Sequence, residues 1–161
     1  MSNLGTVYRQ LGDLQRALDV YLQLQPTVRA LGNQREVAAS LHNAGDVYGA
    51  LGDTPRALEH FVEALALWRK LGYLAGEAAT LTEMGKLYYF AGRLAESVNT
   101  LQQAQKVREA IGDRRGLAQT LTNLGVAYKE LNELEKASDT WQKALTLWQT
   151  LQNQVGESIT R

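Results

Sequence analysis

One spacing constrains this chain more than any other feature. Gly5, Gly45, Gly85 and Gly125 stand 40 residues apart, and so do Tyr8, Tyr48, Tyr88 and Tyr128. The same register holds at Leu41, Leu81 and Leu121, and at Ala38, Ala78 and Ala118. It holds again at Gly12, Gly52 and Gly92 (Asn132 in the last copy), at Ala17, Ala57, Ser97 and Ala137, and at the bulky set Tyr21, Phe61, Leu101 and Trp141. A fixed period of this length predicts a solenoid whose units pack mainly against their neighbours. The 161 residues, 45% of them hydrophobic, suffice for one continuous stack. The expected units are 1–33, 34–73, 74–113 and 114–153, with a partial helix at 154–161.

Each unit should hold two helices. In the second copy, Val37, Ala38, Leu41, Ala44, Gly45 and Tyr48 recur at three-to-four spacing, which predicts a buried helical stripe from about Glu36 to Ala50. Gly52 offers a left-handed ending, Thr54 a cap for the next helix, and Pro55 a first-turn residue whose missing N–H costs little. Ala57, Leu58, Phe61, Ala64, Leu65 and Trp68 make the second stripe, which should reach about Leu71; "GY", "GD" or "QN" then separates the units. Gly45 and Ala57 mark a close approach of the two helices, with Tyr48 and Phe61 filling the remaining space. The helical glycines cost about 1 kcal/mol each against alanine, which close packing has to offset. Pro26 falls where the other copies carry helix-compatible residues, so the first copy's second helix should kink or stop there. Only two prolines and no alternating Val/Ile runs complete an all-α reading.

The order Leu41, Ala44-Gly45, Tyr48, Gly52, Ala57, Phe61 and Ala64 resembles the tetratricopeptide repeat, with Leu41 in place of the usual tryptophan and Arg69 in place of the usual proline. The usual repeat has about 34 residues. The longer form is similar to the repeats of kinesin light chains, of cell-polarity adaptors and of bacterial signalling proteins. The resemblance covers essentially the whole chain and implies a right-handed α–α superhelix, a solenoid of antiparallel helix pairs whose first helices line a concave surface. Because neither Met1–Gly5 nor Gln154–Arg161 forms a clear polar cap, a piece of a longer array is expected, the alternative being natural ends that fray or pair with another copy.

By that resemblance the inward candidates for binding a peptide are Asn3, His42, Asn43, Asp46, Glu83, Lys86, Tyr89, Asn123 and Lys129. An amide carries donors and an acceptor, so Asn3, Asn43 and Asn123 suit both groups of an extended backbone; Glu83 interrupts the row. The bland alternative is that each asparagine bonds a neighbouring helix or solvates the groove. Arg9, Lys86 and Lys129 alternate with Asp46, Glu83 and Glu130, which favours a mixed-charge or amphipathic segment over an acidic tail. Tyr89 reads equally as an anchor or a packing residue, and Phe90 is expected in the core.

Catalysis is not expected. The chain has no cysteine, its two histidines, His42 and His60, form no HExxH pattern, and no cofactor or metal is implied. His60 reads as a solvent-facing helix residue. The "GDRRG" stretch, Gly112 to Gly116, reads as a turn, and Trp68 and Trp148, with Val28 and Arg108 in phase, as edge packing. Seventeen basic residues balance seventeen acidic ones, so no surplus steers the chain to nucleic acid. No apolar run approaches the roughly 18 residues of a membrane span, and the cysteine-free composition fits the cytoplasm. The expected role is therefore a non-catalytic module that binds a protein or an extended peptide segment. The alternative is self-association, with exposed terminal helices stacking between chains.

Overall fold

A computed structural model describes residues 2–159, with side chains placed for residues 4–152. Its elements are α1 (Ser2–Gln10), α2 (Leu14–Ala30), α3 (Gln34–Ala50), α4 (Thr54–Lys70), α5 (Leu74–Phe90), α6 (Leu94–Ile111), α7 (Arg114–Glu130) and α8 (Leu134–Ile159). The described residues contain no strand, and the fold is an all-α solenoid of antiparallel helix pairs. Two compact units are present, residues 1–80 and residues 81–161. In the first, α1 packs on α2, α2 on α3 and α3 on α4; in the second, α6 packs on α7 and α7 on α8.

From Leu14 to Leu134 each helix begins 20 residues after the one before it. The metric comes from the turns. Gly12, Gly32, Gly52, Gly72, Gly92 and Gly112 all have φ between +63° and +79°, and Asn132 has φ +60°. This left-handed residue lets the chain fold back on the last helical carbonyls: Gly52 N–H donates to the Gly49 carbonyl at 3.1 Å and Asp53 N–H to the Tyr48 carbonyl at 2.9 Å. The next side chain then caps the following helix. Asp13, Asn33, Asp53 and Asp113 each accept the backbone N–H three residues on.

Two expected boundaries shift for this reason. The cap of α4 is Asp53 rather than Thr54, which is already helical, while Pro55 does sit in the first turn. Helix α3 opens at Gln34 behind its cap Asn33, not at Glu36. A third difference concerns residues 152–153, where a break was expected. Gln152 stands where the glycines stand in earlier turns, and its side chain disfavours the left-handed conformation, so α8 runs through to Ile159. Pro26 does not stop α2, which continues to Ala30; the ring is exposed, away from packed neighbours.

Pairing within a repeat rests on one small residue facing one large one. A Cβ on Gly45 would lie 2.8 Å from the Phe61 ring, one on Gly5 2.6 Å from Tyr21, and one on Gly85 2.6 Å from Leu101; Gly125 meets Trp141 in the same way. Tyr21, Phe61 and Leu101 are at most 2% exposed, so the larger side chains fill the space the glycines leave. Ser97, in the phase of Ala17 and Ala57, buries its hydroxyl by donating to the Gly85 carbonyl at 2.8 Å. Between repeats the same logic places Gly76 against Trp68 and Gly116 against Arg108. Trp68 joins Val37, Ala38, Leu41 and Ala64 in one core, with Val28 packed against it.

A cation also lies over each repeating tyrosine: Arg16 over Tyr8 at 5.8 Å, Arg56 over Tyr48 at 4.7 Å, Arg93 over Tyr88 at 4.5 Å and Lys136 over Tyr128 at 5.6 Å. Each cation pairs with an acid three residues away, namely Asp13, Asp53, Glu96 and Glu133. The Arg56 side-chain hydrogen bond holds the Asp53 carboxyl below its ordinary range, and Arg93 does the same for Glu96. In return, Glu133 raises the Lys136 ammonium.

Candidate functional site

The inward candidates sit on the first helix of each pair. In the first unit they are tied into a polar ladder. Arg9 Nη1 donates to Asp46 Oδ2 at 3.0 Å, and His42 Nε2 lies 3.8 Å from the same oxygen. On its other side His42 Nδ1 is 2.9 Å from Thr80 Oγ1. The Thr80 hydroxyl hydrogen already serves the Gly76 carbonyl at 2.9 Å, so the His42 Nδ1–H is the donor to Thr80 Oγ1. The imidazole also packs on Phe61, with centroids 5.6 Å apart. Thus His42 and Asp46 link α1, α3 and α5. Asn43, half-buried beside them, has no side-chain partner among the described residues. Asn3 lies outside the residues whose side chains are described.

In the second unit, Glu83 accepts from Lys86 Nζ at 2.5 Å within one turn of α5. The acid that breaks the asparagine row is therefore neutralised locally. Thr82, beside it on α5, is 2% exposed; Thr120 Oγ1 lies 3.2 Å from its hydroxyl, and Arg108 Nη2 donates to it at 3.3 Å. Lys129 is exposed at the end of α7. Asn123 buries its amide Nδ2, which finds no acceptor. Together with Lys86, Tyr89, Phe90, Leu101 and Val126 it lines a hollow of about 140 Å³.

Two aromatic expectations resolve here. Tyr89 is half-buried and packs against the core of Leu101, Leu124, Ala127, Tyr128 and Ala137 while also lining the hollow. Phe90 is not in the core: it is 78% exposed and meets Tyr89 edge-on with centroids 5.4 Å apart. Its register mates Gln10, Ala50 and Glu130 are polar or small, a sequence signal that already marked the position as outward. His60 is half-buried rather than solvent-facing. Its Nδ1–H donates to the Arg56 carbonyl at 2.9 Å and its ring packs on Tyr48 at 5.0 Å. Within the "GDRRG" turn, Asp113 pairs with Arg108 and caps α7 through the Gly116 N–H at 2.9 Å.

A family model described as tetratricopeptide repeat matches residues 1–70 and 76–150. The chain belongs to the tetratricopeptide repeat family. No curated protein matches it. Among solved structures it is similar to BtubC (BKLC) from P. vanneervenii, with a TM-score of 0.86 and 23% identity over 94% of this chain and 63% of that one. It is also similar to the apo form of RapI, with a TM-score of 0.81 and 17% identity over 92% of this chain and 42% of that one. At these identities the likeness is one of fold, and the chain spans less than two thirds of either structure. Among the described residues no group of three or more His, Asp or Glu side chains is placed to hold a metal ion. No described helix is long and apolar enough to cross a membrane. Membership of this family makes the chain a repeat module of the protein-interaction type.

Proposed function

We propose that the first-helix faces of the two units bind extended peptide or protein segments through Asn43 in one and Asn123 in the other, with specificity from the flanking candidates. The observation that carries this reading is the Asn123 amide, whose buried Nδ2 has no acceptor although it sits beside an open hollow. An unpaired buried donor costs about 1–3 kcal/mol, and a peptide carbonyl supplies the missing acceptor once the amide turns outward. The 40-residue spacing supports the long form of the repeat, similar to kinesin light chains and bacterial signalling arrays, and a cysteine-free chain fits a cytoplasmic scaffold. Panning a random peptide phage library on the immobilised chain tests the idea. Enriched peptides should lose at least about tenfold in affinity with Asn43→Ala or Asn123→Ala, at unchanged helical signal. Unaltered affinity in both variants would sink it.

A second reading, stacking between chains, draws on a different observation. Leu4 and Val7 are 49% and 47% exposed, whereas Ala44 and Val47 at the same phase are fully buried. Leu145 and Trp148 are 48% and 36% exposed, against 8% and 5% for Leu65 and Trp68. Light scattering across a concentration series decides this reading, and mass that stays monomeric rules it out.

A further inference from the structure

We infer that the hollow beside Phe90 is a specificity pocket that takes one large apolar side chain, aliphatic or aromatic, from an extended peptide. The inference rests on the peptide-binding reading above and deepens it for the second unit.

Phe90 has the highest exposure of any large hydrophobic side chain described, and neither the repeat pattern nor the core requires an aromatic there. Its ring stands edge-on to Tyr89, which is itself anchored on the Leu101 core, so the exposed aromatic is supported from behind. Phe90, Tyr89, Leu101 and Val126 give the hollow its apolar lining; Lys86 and Asn123 complete it.

Size and charge narrow the occupant. At about 140 Å³ the hollow falls below the roughly 300–1,000 Å³ of pockets that hold whole small molecules, which fits one side chain instead. Lys86 is the cation on its lining, and Glu83 already matches that ammonium at 2.5 Å. A carboxylate entering here would have to compete with Glu83, whereas a neutral apolar group displaces nothing. Asn123 then offers its unpaired amide hydrogens to the backbone carbonyl of the residue that enters. Phe90 selects because its ring is the part of the lining left bare until an apolar group covers it.

N-acetyl-leucinamide and N-acetyl-phenylalaninamide, titrated into the isotope-labelled chain by NMR, test the pocket directly. The Val126 methyls and the Asn123 side-chain amide should shift and saturate. N-acetyl-alaninamide and N-acetyl-aspartamide should bind at least about tenfold more weakly, since little apolar surface is covered. Phe90→Ala, a change at an exposed position, should keep the circular dichroism spectrum and abolish saturation. The inference is overturned if neither apolar amide moves Val126 and Asn123 saturably, or if Phe90→Ala binds them as the parent does. Library peptides that depend on Asn43 or Asn123 but show no apolar preference and ignore Phe90→Ala would overturn the pocket and leave the peptide-binding faces standing. Saturable amide binding without any enriched library peptide would do the reverse.

Discussion

In the turn after α3 the acid comes first and the cation three residues later, as Asp53 and Arg56; in the turn after α5 the order is reversed, as Arg93 and Glu96. Both cations end up over the repeating tyrosine, at 4.7 Å from Tyr48 and 4.5 Å from Tyr88. Both stay paired, with Nε donating at 2.6 Å in each turn. The cap is what differs. Asp53 accepts the Arg56 N–H at 3.1 Å, while Arg93 has no acceptor to offer and α6 begins without a side-chain cap. The cation over the tyrosine is thus common to both turns, and helix capping is separable from it. Glu96 still places negative charge in the first turn of α6, which partly compensates through the helix dipole.

The tyrosines should separate the turns most. Tyr48 is 6% exposed whereas Tyr88 is half-buried, so Tyr48→Ala should cost about 3–5 kcal/mol and Tyr88→Ala clearly less, read from urea unfolding followed by circular dichroism. Equal losses would mean that both rings act mainly as platforms for the cation. Next in size, Asp53→Ala removes cap and ion pair together and should lower the melting temperature by about 2–4 °C. Arg93→Ala removes no cap and should lower it by less; a larger drop for Arg93→Ala would show that the cap carries little of the turn's stability. The smallest effect is on acid. The Asp53 and Glu96 carboxyls are held below their ordinary values of 3.8 and 4.5, chiefly by the arginine hydrogen bonds. A depressed folded pKa stabilises fully above the ordinary value and loses that contribution as pH falls through the folded one. The melting temperatures of the parent and Asp53→Ala should therefore differ at neutral pH and converge below the ordinary carboxylate range.

Elements whose surroundings repeat were readable from the sequence. Gly45 against Phe61, and its equivalents in the other copies, follow from a 40-residue register because each pair meets the same neighbours. The 20-residue metric was harder to see, since first and second helices bury different side chains and only the single glycine at each junction, replaced by Asn132 at the last, announces it. Capping was misplaced by one residue at Thr54 because Asp53 and Thr54 are both capping types; the fold-back at Gly52 decides between them. Register marked the inward face but not its bonding. That Asp46 takes Arg9 and that His42 reaches Thr80 depends on side chains some 37 and 38 residues apart, which no local pattern encodes. Phe90 was misread because an aromatic following Tyr88-Tyr89 resembles a continuing core, although its own register is polar.

The left-handed residue every 20 positions makes all the inner helices nearly equal in length, so length alone does not distinguish a first helix from a second. The distinction resides in side-chain size, glycine on one and a large residue on the other. Array length is consequently editable in one increment only. Excising a full 40-residue period, the step from Gly45 to Gly85, returns every small residue to a large one. Excising half a period keeps the turns but removes one member of a pair: deleting residues 72–91 takes away Gly85 and leaves Leu101 without the small residue it packs against.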